Sequence, residues 1–247
     1  MKCKNCDNEF KGKFCDNCGQ SSSIQRINWK YLKGSIADDV FQINHGFLYT
    51  AKTLLLRPGK SLNNFFLGKR KSFYKPFAFL LISTTIFLLS TRLFGNKTFI
   101  DEFLDGIQIA LNGQNNSVAN FRLLDFLKTN QTLIFFLTVP LFSIASFISY
   151  KKSGFNFSEH LILKLYITGE QLLIYAIFSF FINQDSELVF IPLILSFLYN
   201  IYVYNQFFHS INWIKRNLKF ILTYFIYNIL VVIALFILVV LSTTKIV

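Results

Sequence analysis

The sequence predicts an all-α integral membrane protein with about five transmembrane helices, preceded by a small cysteine-rich module at the N-terminus. Hydrophobic residues make up 53% of the 247 positions and charged residues only 15%, which is too apolar for an ordinary soluble domain. The apolar residues also cluster into runs close to the roughly 20 residues that cross a bilayer core. All four cysteines lie within the first 18 residues.

Five apolar runs of suitable length predict the transmembrane helices. They are Phe77 to Phe94, Thr132 to Tyr150, Leu161 to Ile182, Leu188 to Phe208 and Phe220 to Leu241. The first two runs contain no acidic residue, whereas the third contains Glu170 together with Lys164. We therefore expect a five-span helical membrane domain at residues 76–247.

The charges of the loops predict how these spans are oriented, because short loops rich in Lys and Arg remain in the cytoplasm. Fourteen basic and five acidic residues precede the first run, and basic clusters also follow the second and fourth runs. The segment from Gly95 to Gln131 has more acidic than basic residues, as has the turn after the third run. We expect a multi-pass protein of the bacterial inner (cytoplasmic) membrane with a cytoplasmic N-terminus and an outside C-terminus.

The cysteines Cys3, Cys6, Cys15 and Cys18 have the spacing C-x2-C-x8-C-x2-C. Disulfides rarely persist in a reducing cytoplasm, and two such pairs complete the four-sulfur shell of a structural zinc site. The alternatives are a redox dithiol or unligated thiols. A zinc ion held by four thiolates has no open position for water, so residues 1–20 are predicted to form a structural zinc ribbon without catalysis.

The surface of the ribbon indicates what it binds. Its lysines alternate with Asn residues and with the acids Asp7, Glu9 and Asp16. This mixed charge does not favour nucleic acid, which requires a basic patch. We expect the ribbon to dock on a partner protein or on its own membrane domain.

Residues 21–75 are predicted to form a linker followed by amphipathic, polybasic juxtamembrane helices. The segment Arg57-Pro58-Gly59 is expected to end one helix, and Ser61 to cap a second. No acidic residue occurs between positions 52 and 75, and the bases there are Lys52, Arg57, Lys60, Lys69, Arg70, Lys71 and Lys75. Such a belt attracts anionic lipid headgroups. The alternative is that these charges only fix the topology.

Two segments carry a resemblance to a known family. The ribbon that ends FCDNCGQ, and the segment from Gly46 to Leu81 with its RPGK and GKR motifs, resemble an uncharacterised family of bacterial membrane proteins, a domain of unknown function. The resemblance covers about a third of the chain and implies no activity. In span count alone, the chain is similar to five-span Yip1-type membrane proteins.

The third run contains the candidate intramembrane polar site. Glu170 is predicted near mid-membrane, and Lys164 near the cytoplasmic end, where its side chain can extend to the interface. Gln171 shares a helical face with Lys164, whereas Glu170 points about a third of a turn away. Glu170 therefore needs a partner from another helix, such as Asn200 or Asn228. These residues either line an ion or lipid-headgroup cavity or hold the helices together.

Two functions remain open from the sequence. We expect no enzyme, since the three histidines are widely separated and no catalytic motif is present. The first function is an inner-membrane adaptor or scaffold whose ribbon binds a partner protein. The alternative is a small transporter or lipid-handling protein that uses the polar cluster around Glu170. An oligomer is compatible with either.

Overall fold

The computed structural model describes residues 1–32, 46–94, 97–112, 118–181 and 190–244. The helices in these ranges are α1 (Gly46–Leu56), α2 (Pro58–Leu67), α3 (Pro76–Leu93), α4 (Phe99–Asn112), α5 (Val118–Thr129), α6 (Gln131–Ser149), α7 (Phe157–Phe178), α8 (Ile191–Phe207) and α9 (Trp213–Thr244). A short 3-10 turn at Lys151–Ser153 joins α6 to α7. Residues 33–45, which belong to the predicted juxtamembrane segment 21–75, lie outside the described residues.

Four helices are long and apolar enough to cross a membrane: α3, α6, α7 and the Trp213–Leu238 part of α9. The described part of the chain is therefore helical with four candidate membrane-spanning helices, which suggests a membrane protein. The predicted fourth span corresponds to α8, which has 17 residues and begins next to residues 182–189, outside the described part of the chain. At 1.5 Å per residue, α8 is about 26 Å long, close to the roughly 30 Å of a bilayer core.

The segment between the first two spans contains α4 and α5, although the sequence indicated only an acidic loop. A local cap starts α4, because the Thr98 backbone N–H donates to Asp101 Oδ2 and the Asp101 N–H donates to Thr98 Oγ1, both at 3.0 Å. Lys128 Nζ of α5 donates to Asp105 Oδ1 of α4 at 2.6 Å. Hydrogen bonds from Lys128 and Lys97 lower the pKa of Asp105 to about 2. The loop charges therefore pair with one another and join two helices.

The α7 helix lies at the centre of the bundle and packs against α1, α3, α6 and α8. Its start is a capping box, in which the Asn156 side chain accepts from the Glu159 backbone N–H and the Glu159 carboxylate accepts from that of Asn156. Gly169 allows α3 to approach closely, since a Cβ there would lie 2.6 Å from Phe79 Cδ1. The apolar sequence of α7 is thus buried on several sides.

The two short helices before the first span form a joint against α7 and α8. The α2 helix begins at Pro58 and ends at Gly68, whose φ of 107° is in the left-handed region. The predicted cap at Ser61 is wrong, because proline needs no backbone N–H partner and starts the helix three residues earlier. Ser61 is buried, and its hydroxyl donates to the Thr53 carbonyl of α1 at 3.1 Å.

Small and polar side chains join α6, α7 and α8 near the start of α7. Ser146 of α6 lies at the centre: its Oγ is 2.8 Å from His160 Nδ1 and accepts from Tyr204 OH at 2.8 Å. Ala145 and Ser143 are also fully buried on α6. Such small residues let helices pack closely, and the hydroxyl bonds add about 1 kcal/mol or less each.

Candidate functional site

The four N-terminal cysteines form one cluster. All four Sγ atoms lie within 4.8 Å of one another, and the Cys3–Cys18 and Cys6–Cys15 pairs are each 3.6 Å apart. Cys3 and Cys15 are buried. None of the four is in a disulfide. The sequence thus correctly predicted that these side chains converge, and the cluster is a possible metal-binding group.

The ribbon is a two-fold internal repeat with an offset of 12 residues. In the first half, the Cys3 N–H donates to the Asn8 carbonyl and the Asp7 N–H to the Cys3 carbonyl. The second half repeats these bonds, with Cys15 bonded to Gln20 and to Gly19. The residue after each second cysteine is left-handed, with φ of 62° at Asp7 and 67° at Gly19. This turn aims both thiols of a pair at the same point.

Cys15 and Cys18 have opposite electrostatic environments in the cluster. The Asn5 backbone N–H donates to Cys3 Sγ at 3.4 Å. Desolvation acts to raise the pKa of Cys15, but hydrogen bonds that include the backbone N–H groups of Cys18 and Asn17 lower it to about 6. Desolvation raises the pKa of Cys18 to about 11.

The apolar core consists of Phe10 and the cysteines alone, so hydrophobic burial contributes little to the ribbon's stability.

The second half of the ribbon docks on the turn that precedes the first span. The buried Gln20 side chain accepts from the backbone N–H groups of Arg70 and Lys71, at 3.1 and 3.2 Å. On the other side of this contact, a Cβ on Gly68 would lie 3.0 Å from Lys4 Cδ. The ribbon therefore docks on the chain's own juxtamembrane segment, and docking on a partner protein stays a prediction.

The linker after the ribbon is attached to the start of α7. Arg26 makes two hydrogen bonds to the Glu159 carboxylate, at 2.8 and 2.7 Å, which raise the pKa of Arg26. The Asn156 side chain donates to the carbonyl of buried Ile27 at 2.9 Å. Trp29 lies against Phe157, with ring centroids 5.7 Å apart. The capping box of α7 thus also holds the linker.

The predicted lipid-contacting bases have different environments. Arg70 bonds to the carbonyls of Phe65 and Gln25, and its guanidinium lies 4.8 Å from the Tyr31 ring centroid. Arg70 therefore has partners within the protein, and its headgroup contact stays a prediction. Lys69 and Lys75 are partly buried, and the exposed bases are Lys52, Arg57, Lys60 and Lys71.

A cavity of about 910 Å³ lies mainly between α4, α6, α7, α8 and α9, and we call it the bundle cavity. One face of α7 lines it with Lys164, Thr168, Gln171 and Tyr175. This is the helical face that the sequence indicated. The volume is near the top of the roughly 300–1,000 Å³ typical of small-molecule sites.

Lys164 points into this cavity, so the prediction that it extends to the interface is wrong. Its Nζ lies 4.1 Å from the ring centroid of Phe142 and 3.4 Å from Gln171 Oε1, and the residue is 9% exposed. Gln171 is seven residues further along α7, so the amine leans away from the helix start. The Gln171 amide in turn donates to the Ser196 carbonyl of α8 at 2.8 Å.

The predicted partners of Glu170 bond elsewhere. Glu170 is 3% exposed, and its Oε2 has no hydrogen-bond partner within the described ranges. Asn200 Nδ2 donates to the Tyr224 hydroxyl, and Asn228 Nδ2 to the Tyr224 carbonyl, both at 2.8 Å. Lys164, Gln171 and Asn228 line the bundle cavity, whereas Glu170 and Asn200 do not. The predicted polar cluster is thus divided.

Of the cavity groups outside α7, sequence reasoning identified Asn228 and missed others. Phe142 and Thr138 of α6 and Ser196 of α8 also line the cavity. Single hydroxyls and a phenylalanine in apolar runs have no distinguishing pattern. The helix packing alone brings them to the same cavity.

Comparison with known families gives one match. The family described as "Protein of unknown function (DUF3667)" matches residues 44–88. This confirms the resemblance over the segment with the RPGK and GKR motifs, which includes α1, α2 and most of α3. No curated protein and no solved structure matches the chain.

Proposed function

We propose that the protein is a non-enzymatic membrane protein that holds a lipid-like amphiphile in the bundle cavity. The cavity itself carries this proposal, because it joins a long apolar lining to a few polar groups on one face of α7. Several lining residues are also exposed on the outer surface of the bundle: Leu137, Leu193, Phe197 and Leu238. An acyl chain can therefore pass between cavity and bilayer.

The proposed location is the bacterial inner membrane, with α8 as a fifth span, the N-terminus in the cytoplasm and the C-terminus outside. The basic loop charges support this orientation. On α1, the exposed Leu48 and Leu55 lie on the same helical face as exposed Lys52. This arrangement suits a helix at the membrane interface that contacts anionic headgroups, together with Arg57 and Lys60.

The proposed metal is zinc, in a structural role. A tetrahedron with Zn–S bonds of about 2.3 Å has S–S edges of about 3.8 Å. The two 3.6 Å Sγ pairs are close to this length. With four sulfur ligands, the ion would stabilise the ribbon and leave no position for substrate. The ribbon would then bind the turn that contains the GKR motif, residues 68–70, at the proposed cytoplasmic end of the bundle.

Filling the cavity is expected to expel the amphiphile. Thr138 lines the cavity, and in the described part of the chain its hydroxyl donates to the Phe135 carbonyl of its own helix. Thr138→Trp should therefore occupy cavity space with little loss of packing. Mass spectrometry of lipids that remain bound through detergent purification should find about one amphiphile per wild-type chain and less than a tenth of that in the variant.

The matched control is Ile148→Trp on the same helix, where the side chain is 52% exposed and outside the cavity lining. It should retain the wild-type amount. Equal retention by Thr138→Trp and Ile148→Trp, with both variants folded, would contradict the proposal.

An adaptor role through the ribbon is the second candidate, favoured by two exposed apolar residues. Met1 is 63% and Phe14 is 62% exposed. A partner protein could cover them while Gln20 stays docked. Crosslinking in cells should then give a defined adduct with wild-type ribbon that Phe14→Ser loses, and identical crosslinking patterns would argue against this role.

A further inference from the structure

We propose that the amphiphile in the bundle cavity carries an acidic headgroup, a carboxylate or a phosphate, that pairs with Lys164. This inference rests on the proposed function and names the chemical class of its ligand. The juxtaposition that carries it is the buried Lys164 amine next to the Thr168 hydroxyl, which has no partner in the described part of the chain, in a largely apolar cavity.

Lys164 lacks a counter-ion within the described part of the chain. No carboxylate lies within 4.0 Å of its Nζ in the described part of the chain. Its contacts are the Phe142 ring and one long hydrogen bond to Gln171. A lysine inside a membrane is costly unless it pairs, and it usually marks a ligand pathway. A bound anion would supply the absent charge.

A hydroxyl donor lies beside the amine. Thr168 Oγ1 has no hydrogen-bond partner within the described ranges, and the residue is 8% exposed. Thr168 lines the cavity one turn from Lys164. Buried hydroxyls normally find a partner. The Thr168 hydroxyl can donate to an oxygen of a carboxylate or phosphate.

The positions of the charged residues around the cavity indicate the direction of the amphiphile's hydrocarbon chain. The other charged residues that line the cavity are Lys97 and Glu102, at its α4 end. Phe99 of α4 lies against Tyr175, with ring centroids 4.8 Å apart, and Tyr175 is about 16 Å along α7 from Lys164. The apolar lining occupies the space between. The headgroup therefore lies at Lys164, and the hydrocarbon extends toward α4 and the lateral opening.

The test compares ligands that share acyl chains and differ only in charge. Full-length protein in neutral detergent is titrated by native mass spectrometry with dioleoylphosphatidic acid against dioleoylglycerol, and with oleate against oleyl alcohol. Wild type should prefer the acidic member at least about tenfold. Lys164→Met should reduce this preference to near one without weakening the neutral member. A greater preference for phosphatidic acid over dioleoylglycerol would identify the headgroup as a phosphate. A greater preference for oleate over oleyl alcohol would identify it as a carboxylate.

Two further variants keep the result interpretable. Lys152→Met removes an exposed base outside the cavity lining and should leave the preference unchanged. Thr168→Val should lower affinity for the acidic member several-fold and leave the neutral member unaffected, even where Lys164→Met fails to fold. Equal wild-type affinity for acidic and neutral members would overturn this inference and leave the proposed function intact. Failure to bind any of the four would overturn both.

Discussion

Replacing Cys15 with serine is expected to reduce bound zinc from about one ion per chain to less than a tenth. Cys15 is 2% exposed, and its Sγ belongs to a set of four within 4.8 Å. A hydroxyl is a far poorer zinc ligand than a thiolate. Because Phe10 and the cysteines form the ribbon core, we expect metal binding, which is worth about 10–16 kcal/mol in zinc-finger peptides, to supply most of the ribbon's folding free energy.

The measurements are metal content of the purified protein and its rate of cleavage by trypsin after Lys11 and Lys13. Both sites should become rapidly cleaved in Cys15→Ser, and equally in wild type after chelation. Asp16→Ser is the control, since this exposed neighbour provides no sulfur and should keep the metal. Stoichiometric zinc in Cys15→Ser would refute the four-sulfur site.

Substituting leucine for Gly59 is expected to lower the free energy of unfolding of the bundle by about 3 kcal/mol or more, because overpacking typically costs 1–3 kcal/mol even when side chains can move. A Cβ on Gly59 would lie 2.3 Å from Gln206 Cβ and 2.6 Å from the Gln206 backbone carbon. The substitution would also displace the Gly59 N–H, which donates to Gln206 Oε1 at 3.0 Å. Thermal unfolding in detergent measures the loss.

The control is Gly106→Leu in α4, where a Cβ has nothing within 4 Å. This variant should unfold at or slightly above the wild-type temperature, because leucine is a better helix former than glycine. Equal midpoints for Gly59→Leu and Gly106→Leu would contradict the close α2–α8 contact. Gly59 belongs to the RPGK motif inside the matched residues 44–88, so part of that match reflects a packing joint.

The sequence predicted the apolar helices and the cysteine cluster because both depend on local patterns. An apolar run such as that from Thr132 to Tyr150 is stable in lipid as an α-helix, because a helix satisfies its backbone hydrogen bonds internally. The observed helix, Gln131–Ser149, differs from the predicted run by one residue at each end. Two Cys-x-x-Cys pairs likewise converge through their own backbone turns, although the left-handed conformation of Asp7 was not indicated.

Features that depend on helix packing could not be predicted. Lys164 lies near the start of the apolar run, which favoured an interfacial position, but packing against Phe142 and Gln171 directs its amine inward. The separation of Glu170 from Asn228 and the lining position of Ser196 depend on how α7, α8 and α9 are rotated. Side-chain spacing within one helix contains no information on that rotation between helices.

The most direct test of the central claim is to map where an amphiphile contacts the protein in a membrane. A fatty acid with a diazirine in its acyl chain is incorporated into vesicles that contain the full-length protein. The vesicles are irradiated, and the adducts are located by peptide mass spectrometry. We expect adducts concentrated on cavity residues of α6, α7 and α9, including Ile134, Tyr175 and Leu235, with loss of these in Thr138→Trp. Adducts confined to outward-facing residues such as Ile148 and Phe225 would contradict it.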